Sequence, residues 1–434
     1  MRRARHAGVV APPRDVREPI RSLAERYREV RRATDRLAEP LSPEDCTVQS
    51  MPDASPVKWH LAHTTWFFET FVLERGIAGY RPYHPQFRVL FNSYYNGVGA
   101  QHPRPERGLL SRPTLDEVRA YRAGVDRRVL DLLERSAVEP LGDAIELGLH
   151  HEQQHQELIL TDLKHMLSLN PLRPAYRDCP VAPTRDVVPL RWLHHPGGIA
   201  WIGHGERSFC FDNERPRHRV LADAFALASR PVTNGEYLEF VEDGAYSRPE
   251  LWLSDGWDAV RLQAWQAPLY WQSDRRGAWR VITLSGLRDL RADEPVCHVS
   301  FYEADAFARW YGARLPSEAE WEIVAAKAAA DGNFVEDGWL HPTGLEAAAA
   351  GAPAQLFGDV WEWTRSPYAP YPGYRTPAGA LGEYNAKFMC NQFVLRGGSC
   401  ATPRSHIRVT YRNFFPPQTR WQFSGIRLAR DGAA

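Results

Sequence analysis

Two histidines spaced four residues apart are the first feature of the sequence that could carry out chemistry. They lie in HHEQQHQELILTD, residues 150–162, a stretch that is predicted to form one helix. On a helix, His151 and His155 share one face, so both rings can reach the same ion. The spacing therefore predicts a metal site, with a buried structural histidine pair as the alternative interpretation.

A second helical segment offers a third ligand. SPVKWHLAHTTWFFET, residues 55–70, contains His60 and His63, and periodicity alone does not choose between them. His63 shares a stripe with several aromatic residues, which indicates that it points inward. By itself, such a histidine is typical of a hydrogen-bonded core residue. Beside a helix that carries His-x3-His, a metal in the core of a helical bundle is the better hypothesis.

The identity of the metal is open at this point. Residues 151–155 spell H-E-x-x-H, the signature of zinc peptidases, in which Glu152 would act as general base. The metzincin continuation H-x-x-G-x-x-H is absent, because HQELILTDL follows instead. Iron(II) bound by three imidazoles would keep open positions for a substrate, a thiolate and O2. Spacing alone does not separate a zinc hydrolase from an iron enzyme.

The surrounding pattern predicts an α+β protein with two domains. Residues 18–170 contain four long helical segments and one long connection, residues 77–112, which is typical of a four-helix bundle. Ser55 is expected to cap the second helix, with Pro56 at its first position, and Thr114 with Glu117 forms a capping-box sequence at the third. Residues 171–190 are rich in proline and predict a linker. Residues 191–430 alternate short apolar runs with turn residues around two helices, in TNGEYLEFVEDG and SFYEADAFARWYG.

Composition argues against several classes of partner. The chain has 434 residues with 53 basic and 53 acidic side chains, so its formal net charge of +0 gives no support for nucleic acid or an anionic membrane. No apolar run is long enough for a transmembrane helix or a signal peptide. The six cysteines are scattered without a C-x-x-C pair. We therefore expect a cytoplasmic protein with free thiols, as a monomer or a weak homo-oligomer.

Seven short motifs together resemble one known protein family. SPVKWHLAHTTWFFETFVLE, LFNSYYNGVG and HEQQHQELILTD resemble the ergothioneine-biosynthetic sulfoxide synthases (EgtB-type). RLPSEAEWE, LFGDVWEWT, LRGGSCA and FSGIRLA resemble the formylglycine-generating-enzyme fold, a relative of C-type lectin domains. The resemblance covers residues from about 20 to 430 and implies a DinB-like helical bundle fused to a formylglycine-generating-enzyme-like domain.

The resemblance implies a specific metal and a specific reaction. Iron(II) would be held by His63, His151 and His155. The reaction would be O2-dependent C–S bond formation at imidazole C2 of hercynine (N-α-trimethylhistidine), giving hercynylcysteine sulfoxide. The sulfur donor would be cysteine or γ-glutamylcysteine, and the FNSYYNG form of the loop resembles the subgroup that takes free cysteine. A selenium donor, which would make the chain a selenoneine synthase, is the alternative within the same chemistry.

The resemblance also implies roles for residues around the metal. A tyrosine of the NSYYNG loop would donate a proton, and we expect Tyr94 in this role with Tyr95 as the second choice. Gln154 matches the position that contacts the imidazole of hercynine. Two tyrosines that pack between the domains are the alternative interpretation of this loop.

The pocket for the rest of the substrate is expected near the C-terminus. In YRNFFPP, Asn413, Phe414 and Phe415 match the positions that hold the trimethylammonium and carboxylate groups, and aromatic rings suit a quaternary ammonium ion. A core turn is the alternative. Arg88 and Arg420 are candidates for binding a substrate carboxylate, because arginine forms planar paired hydrogen bonds, although each could equally be a surface charge.

The C-terminal half departs from true formylglycine-generating enzymes. Those enzymes bind copper through a cysteine pair after GGS, whereas this chain has Cys400 alone, at a different spacing. We therefore expect a scaffold and a pocket wall, with Cys400 as a buried small residue. Asp359 and Glu362 in GDVWEWT are expected to cap a turn, with a structural calcium site as the alternative. A non-catalytic lectin-like module with a structural metal is a further hypothesis.

Overall fold

The computed structural model describes residues 22–135, 141–274, 277–347 and 351–432, and the basic N-terminal tail lies outside these ranges. The helices are α1 (Leu23–Ala38), α2 (Val57–Phe68), α3 (Glu74–Gly76), α4 (Phe87–Leu90), α5 (Leu115–Glu134), α6 (Gly142–Leu169), α7 (Asn234–Glu242), α8 (Ser254–Gln263), α9 (Phe301–Trp310) and α10 (Glu318–Ala325). A π-helical turn, Glu69–Leu73, joins α2 to α3. Helices α1, α2, α5 and α6 pack together as the predicted four-helix bundle.

Local sequence sets the start of α5 but not that of α2. Thr114 accepts a hydrogen bond from the Glu117 amide while the Glu117 carboxylate accepts one from the Thr114 amide, so the predicted capping box is confirmed. The expectation for Ser55 is wrong, because α2 begins at Val57 after Pro56. The Ser55 amide instead donates to Asp162 at 2.8 Å and its hydroxyl accepts from Arg107 at 2.9 Å. Tertiary partners thus replace the local cap.

A glycine allows the two histidine-bearing helices to approach closely. Gly148 lies one turn before the metal-site histidines of α6, and its backbone faces aromatic rings of α2. A Cβ atom at this position would lie 2.6 Å from the Phe68 ring and 3.0 Å from that of Phe67. Any larger residue would therefore push α6 away from α2 and separate the histidines that the two helices carry.

The proline-rich stretch between the domains is an ordered strap without regular helix or strand. Tyr176 anchors it at both sides, because its hydroxyl donates to the Leu37 carbonyl at 2.7 Å and its amide donates to the Leu284 carbonyl at 2.8 Å. Leu37 belongs to α1 and Leu284 to the second domain. The strap therefore adds to the contacts between the two halves of the chain.

The second domain consists of short strands and helices, as expected. The strands are β1 (Trp192–His195), β2 (Gly198–Ile202), β3 (His218–Ala222), β4 (Phe225–Ala228), β5 (Trp271–Ser273), β6 (Trp279–Thr283), β7 (Gly286–Asp289), β8 (Gly332–Asn333), β9 (Phe357–Gly358), β10 (Trp361–Pro367), β11 (Phe393–Arg396), β12 (Asn413–Phe415), β13 (Ser424–Gly425) and β14 (Ala429–Asp431). They form sheets of order β1-β4-β14, β12-β11-β10-β13, β2-β3, β5-β6-β7 and β8-β9. All pairs are antiparallel except β10–β13 and β8–β9. The α+β prediction is confirmed.

Helix α10 was not predicted, although Ser317 and Glu320 form a local capping box at its start. Glu318 and Glu322 are buried, yet both carry charge that arginines from elsewhere in the domain neutralise. Arg412 Nε lies 2.6 Å from Glu318, and Arg396 forms ion pairs with both glutamates. Buried charges of this kind are stable only when they are paired and hydrogen-bonded. Their partners come from distant parts of the sequence, so the burial of the helix on all sides could not be predicted from local sequence.

The two carboxylates of the GDVWEWT motif, Asp359 and Glu362, accept hydrogen bonds from protein donors and do not face an open cation site. Asp359 accepts hydrogen bonds from Asn333, Thr343 and Gln355. Glu362 accepts from Trp321 at 2.6 Å and from Arg427 at 2.8 Å. For Asp359, which accepts the Thr343 amide, these contacts agree with the expected capping role. For Glu362 the expectation is wrong, because this residue lies in β10 and pairs with Arg427 in the core. The contacts of both residues give no support to the structural calcium alternative. Cys400 is fully buried, as expected.

Among the described helices, none combines the length and the apolar character needed to cross a lipid bilayer.

Histidines buried in the second domain and at its contact with the bundle predict a loss of stability in acid. Burial lowers the pKa of His298 and His406, and it lowers that of His341 to about 4. In an unfolded chain each imidazole titrates near pH 6.5. Since the folded pKa is the lower one, the contribution to stability is complete above pH 6.5 and falls as the pH decreases, by up to about 1.4 kcal/mol per pH unit for each histidine.

Urea unfolding at several pH values tests this expectation. The free energy of unfolding of the metal-free protein should decrease from pH 7.5 to pH 5. A His341→Gln variant should lose less stability over the same interval than the wild type. Equal free energies at both ends of the interval would contradict the argument.

Candidate metal centre

Three buried histidines from two helices converge at one point between α2 and α6. His63 of α2 and His151 and His155 of α6 each place one ring nitrogen within 4.8 Å of the other two. Their exposed fractions are 0%, 2% and 8%. Helix geometry puts the two α6 residues on one face, whereas the packing of α2 against that face adds the third. The arrangement can surround a single ion.

A hydrogen bond orients the His63 ring so that a lone pair faces the centre. The Nδ1–H of His63 donates to the Phe91 carbonyl at 2.5 Å, which leaves its Nε2 with a free lone pair. This Nε2 lies 3.1 Å from the Nε2 of His151. Two nitrogen atoms at this separation are well placed to bind one cation together. Of the two histidines on α2, the structure thus brings His63 rather than His60 into the cluster.

The electrostatic surroundings keep all three imidazoles neutral. Burial, followed by the neighbouring His151, lowers the pKa of His63 well below its ordinary value. Burial lowers the pKa of His151 to about 3 and also depresses that of His155. A neutral imidazole offers the lone pair that a metal requires. The donor set therefore fits a divalent transition metal with open coordination positions.

Glu152 faces away from this centre, which removes the basis of the zinc-hydrolase alternative. It is fully buried, and its carboxylate accepts hydrogen bonds from Arg31 at 2.8 Å, Arg122 at 2.6 Å and Thr34 at 2.6 Å. Burial raises its pKa, but Arg122 and Arg31 outweigh that effect and lower it to about 2. A carboxylate that two arginines neutralise is a poor general base. We therefore assign Glu152 to the bundle core.

A cavity of about 340 Å³ opens beside His151 and His155 and between the two domains. Its volume lies at the lower end of the range of about 300–1,000 Å³ typical of small-ligand sites. Its wall contains these residues that the sequence analysis assigned to the site: Tyr94, His151, Gln154, His155, Asn413, Phe414 and Phe415. Each domain thus contributes part of the wall.

Gln154 is held by two tyrosines that the sequence analysis did not identify. Its amide nitrogen donates to the Tyr411 hydroxyl at 2.6 Å, and its amide oxygen accepts from the Tyr384 hydroxyl. Both tyrosines come from the second domain and line the cavity. The side chain is therefore fixed in orientation before any substrate binds.

The two tyrosines of the NSYYNG loop have different environments. Tyr94 lines the cavity, whereas Tyr95 is fully buried behind it and is stacked on the Tyr94 ring at 4.7 Å. The loop is fastened to the second domain, because the amides of Asn96 and Gly97 donate to Glu383 at 3.0 Å and 2.6 Å. Burial raises the pKa of Tyr94, so its phenol keeps its proton at neutral pH. Of the two, Tyr94 is the one placed to act on a ligand in the cavity.

Comparison with known proteins explains this combination of domains. The DinB superfamily model matches residues 26–159, and the model of the sulfatase-modifying factor enzyme 1-like domain matches residues 191–353 and 342–432. Hercynine oxygenase of Mycobacterium tuberculosis is 33% identical over 405 residues, covering 88% of this chain and 92% of the relative. Its counterpart in Mycolicibacterium thermoresistibile is 34% identical and covers 94% of each chain. The chain belongs to the hercynine oxygenase family.

Membership of the hercynine oxygenase family makes the chain an oxygen-dependent oxidoreductase, as the motifs indicated. A more distant relative is the Ergothioneine biosynthesis protein 1 of Schizosaccharomyces pombe. It is 27% identical over 238 residues, which cover 51% of this chain and 28% of that protein.

The two arginines expected to bind a carboxylate lie elsewhere in this family member. Arg88 is 45% exposed and forms an ion pair with Glu74 at 2.8 Å. Arg420 is buried, but its guanidinium lies 2.9 Å from the Glu303 carboxylate. Neither lines the cavity. Both guanidinium groups therefore form ion pairs with glutamates of the same chain, and this pairing depends on the fold.

Arg107 is the cavity arginine that sequence reasoning missed. It is buried, its Nη1 donates to the Ser55 hydroxyl at 2.9 Å, and its guanidinium carbon lies 3.4 Å from the centre of the Trp59 ring. Its Nε has no hydrogen-bond partner within the described part of the chain. Burial, followed by the nearby Arg104, lowers its pKa to about 9. A buried cation beside another cation favours the binding of an anion. Among 53 basic residues, no sequence signal singles it out.

Proposed function

We propose that this chain is a non-haem iron(II) sulfoxide synthase of ergothioneine biosynthesis. It would join imidazole C2 of hercynine to the sulfur of cysteine and use O2 to form hercynylcysteine sulfoxide. The names of the relatives support hercynine and O2 as substrates and ergothioneine biosynthesis as the pathway. The observation that carries the proposal is the set of three neutral histidines, His63, His151 and His155. Two of them line a cavity that also presents the Arg107 guanidinium, whose Nε has no hydrogen-bond partner in the described part of the chain.

The domain division follows from the same proposal. In this proposal residues 18–170 are the bundle domain that carries the metal site, residues 171–190 the linker, and residues 191–430 the domain that closes the cavity. Within these bounds, residues 18–21, 136–140, 275–276 and 348–350 lie outside the described ranges. The wall residues Gln154 and Asn413 come from the first and the last of these segments. Neither segment forms the cavity alone.

The overall reaction balances without a further reductant. Hercynine loses its C2 hydrogen and cysteine loses its thiol hydrogen as the C–S bond forms. One oxygen atom of O2 becomes the sulfoxide oxygen, and the other leaves as water with the two hydrogens. The two substrates together give up four electrons, which is the number that O2 accepts.

The cavity residues provide the binding and proton-transfer functions that this reaction needs. Bound iron(II) would supply open coordination positions, which bring the sulfur, the imidazole and O2 together. Gln154 would hydrogen-bond the hercynine imidazole, since two tyrosines already fix its amide. Tyr94 would donate a proton from a phenol whose pKa is raised by burial.

A second phenol could share the proton-donor role with Tyr94. Tyr384 lines the cavity, and its ring centre lies 5.7 Å from that of His151. Burial also raises its pKa. Tyr95 would act indirectly, by supporting the Tyr94 ring against which it stacks.

The substrate groups far from the metal match the remaining walls. The rings of Phe414 and Phe415, together with Phe388, would face the trimethylammonium group through cation–π contacts. Asn413 would hydrogen-bond a carboxylate. Arg107 would pair with the carboxylate of the sulfur donor. The small volume of the cavity favours cysteine over γ-glutamylcysteine.

Substitution of Arg107 is expected to weaken binding of the sulfur donor. In Arg107→Gln, we expect the KM for cysteine to rise by about 10- to 100-fold, which corresponds to the loss of a charge-assisted hydrogen bond of about 1.5–3 kcal/mol. The KM for hercynine should change little. Steady-state kinetics with each substrate varied in turn provides the measurement, and Arg88→Gln is the matched control because Arg88 lies outside the cavity. An unchanged KM for cysteine would refute the assignment.

One experiment tests the proposed function. The protein is loaded with Fe(II) without oxygen, mixed with hercynine and cysteine, and then exposed to O2. Mass spectrometry should show the sulfoxide adduct, with thiol and O2 consumed in equal amounts. Parallel reactions with γ-glutamylcysteine and with a selenium donor distinguish the possible donors, and a zinc-loaded sample with peptide substrates tests hydrolysis. Absence of thiol consumption by the iron-loaded protein would overturn the proposal.

A further inference from the structure

We propose that His60 and Asp162 are positioning residues for the metal centre, and that together they orient the ligand His155. The inference depends on the proposed function in one respect, because it takes the three-histidine cluster as a metal site. It assigns a role to two side chains that are outside the cluster. Neither residue would touch the metal.

A continuous hydrogen-bonded chain links the three residues. The Nδ1 atoms of His155 and His60 are 2.8 Å apart, and the Nε2 of His60 lies 3.2 Å from the Asp162 carboxylate. The same carboxylate oxygen accepts the Ser55 amide at 2.8 Å. His60 and Asp162 are 2% and 5% exposed, and both lie in the wall of the cavity beside the histidines. The chain begins at the start of α2 and ends on the inner face of α6.

The direction of these hydrogen bonds follows from the carboxylate. A carboxylate can only accept, so the Nε2 of His60 donates to Asp162. In neutral His60 the Nδ1 is then the acceptor, and the Nδ1–H of His155 must be the donor. This leaves the lone pair of His155 on Nε2, the nitrogen that a metal would take. The chain thus selects the metal-binding tautomer of His155.

The three ligands are supported in three different ways. His63 donates to a backbone carbonyl, that of Phe91. The Nδ1 of His151 has no hydrogen-bond partner among the described residues. His155 is therefore the ligand that is oriented by side chains, with a negative charge at the far end of the chain. Such an arrangement strengthens the electron donation of the ligand and fixes the plane of its ring.

A purely structural role for the same residues makes a different prediction. If His60 and Asp162 only filled the core, their substitution would lower the stability of the metal-free protein and leave the properties of bound metal unchanged. A positioning role predicts the reverse pattern. The affinity and the electronic symmetry of the metal should change in variants whose metal-free form remains folded.

Three variants and one control separate these roles. Asp162→Asn removes the charge but keeps an acceptor. His60→Ala breaks the chain, whereas His60→Gln retains one acceptor and one donor and should restore part of the effect. His165→Gln is the matched control, because His165 is also on α6 but bonds to Ser50 at 2.8 Å, outside the chain.

Two measurements on the full-length protein give the outcome. The dissociation constant for Fe(II), measured without oxygen against a competing chelator, should rise by about 10- to 100-fold in Asp162→Asn and His60→Ala. It should rise less in His60→Gln and stay within about twofold in His165→Gln. The electron paramagnetic resonance spectrum of the nitric oxide complex should become more rhombic in the first two variants. Thermal unfolding of each metal-free variant confirms that it is folded.

The possible results are distinguishable. Unchanged affinities and unchanged nitric oxide spectra in Asp162→Asn and His60→Ala would overturn the inference and leave the proposed function standing. A wild-type protein that binds no Fe(II) would overturn the proposed function itself. An equal loss of affinity in His60→Gln and His60→Ala would count against the inference, because the glutamine amide keeps the donor and the acceptor that the hydrogen-bonded chain requires.

Discussion

Replacing His63 or His151 with alanine is expected to abolish metal binding and turnover together. Each substitution removes one of three imidazole donors, and the remaining two cannot hold a divalent ion against solvent. We expect the affinity for Fe(II) to fall by about 1,000-fold or more, equivalent to about 4 kcal/mol. Sulfoxide formation should fall to the background rate. Metal content after desalting and O2 consumption with both substrates provide the two measurements.

The fold should tolerate these substitutions. Both imidazoles are neutral and buried, and neither belongs to an ion pair, so alanine leaves a small cavity but no uncompensated charge. His194→Ala is the control, because His194 is an exposed residue of β1 in the second domain. It should bind metal and turn over like the wild type. Normal metal content in His63→Ala would disprove the assignment of this ligand.

Glu152→Ala is expected to be the most destabilising single substitution in the bundle. It removes the buried carboxylate that Arg31 and Arg122 share, whose side chains are only 3% exposed, and leaves each with one more exposed partner, Asp126 and Asp35. Removal of one partner from a buried ion pair costs about 3–5 kcal/mol. We expect the free energy of unfolding to decrease by that amount. Urea unfolding of the metal-free protein measures it.

Two further variants make the result specific. Glu152→Gln keeps the hydrogen bond from Thr34 but not the charge, so it should lie between alanine and the wild type. Glu146 lies on the same helix as Glu152 and forms a partly exposed ion pair with Arg26 of α1. The Glu146→Ala substitution removes this pair and should cost about 1 kcal/mol or less. If Glu152→Gln instead left stability unchanged and abolished a zinc-dependent hydrolysis, the hydrolase alternative would return.

Sequence reasoning succeeded where the physical cause is local. The spacing of His151 and His155 places them on one face of α6 because a helix repeats every 3.6 residues. The capping box of Thr114 and Glu117 forms because its atoms are three residues apart. Local pattern failed at Ser55, whose amide and hydroxyl have partners more than 50 residues away.

The candidate site shows the same boundary between local and distant causes. Motif resemblance pointed to Tyr94, Gln154 and the Asn413–Phe415 strand, and all of them line the cavity. The resemblance did not show which arginine lines the cavity and could bind a substrate carboxylate. Arg420 forms an ion pair with Glu303, whereas Arg107 donates to the Ser55 hydroxyl and has no ion pair among the described residues, a difference that only the packing of the chain decides.

By itself, the sequence determined the family, the α+β class and the set of histidines that could meet at a metal, because motifs and helical periods are written in neighbouring residues. Only the tertiary structure decided that His63 belongs to the cluster while His60 contacts it through His155, and that Glu152 forms ion pairs with two arginines. It also decided that Arg107 lines the cavity without an ion pair among the described residues. These outcomes depend on which helix faces cross, since the energy of a buried charge or imidazole is set by atoms that are close in space and distant along the chain.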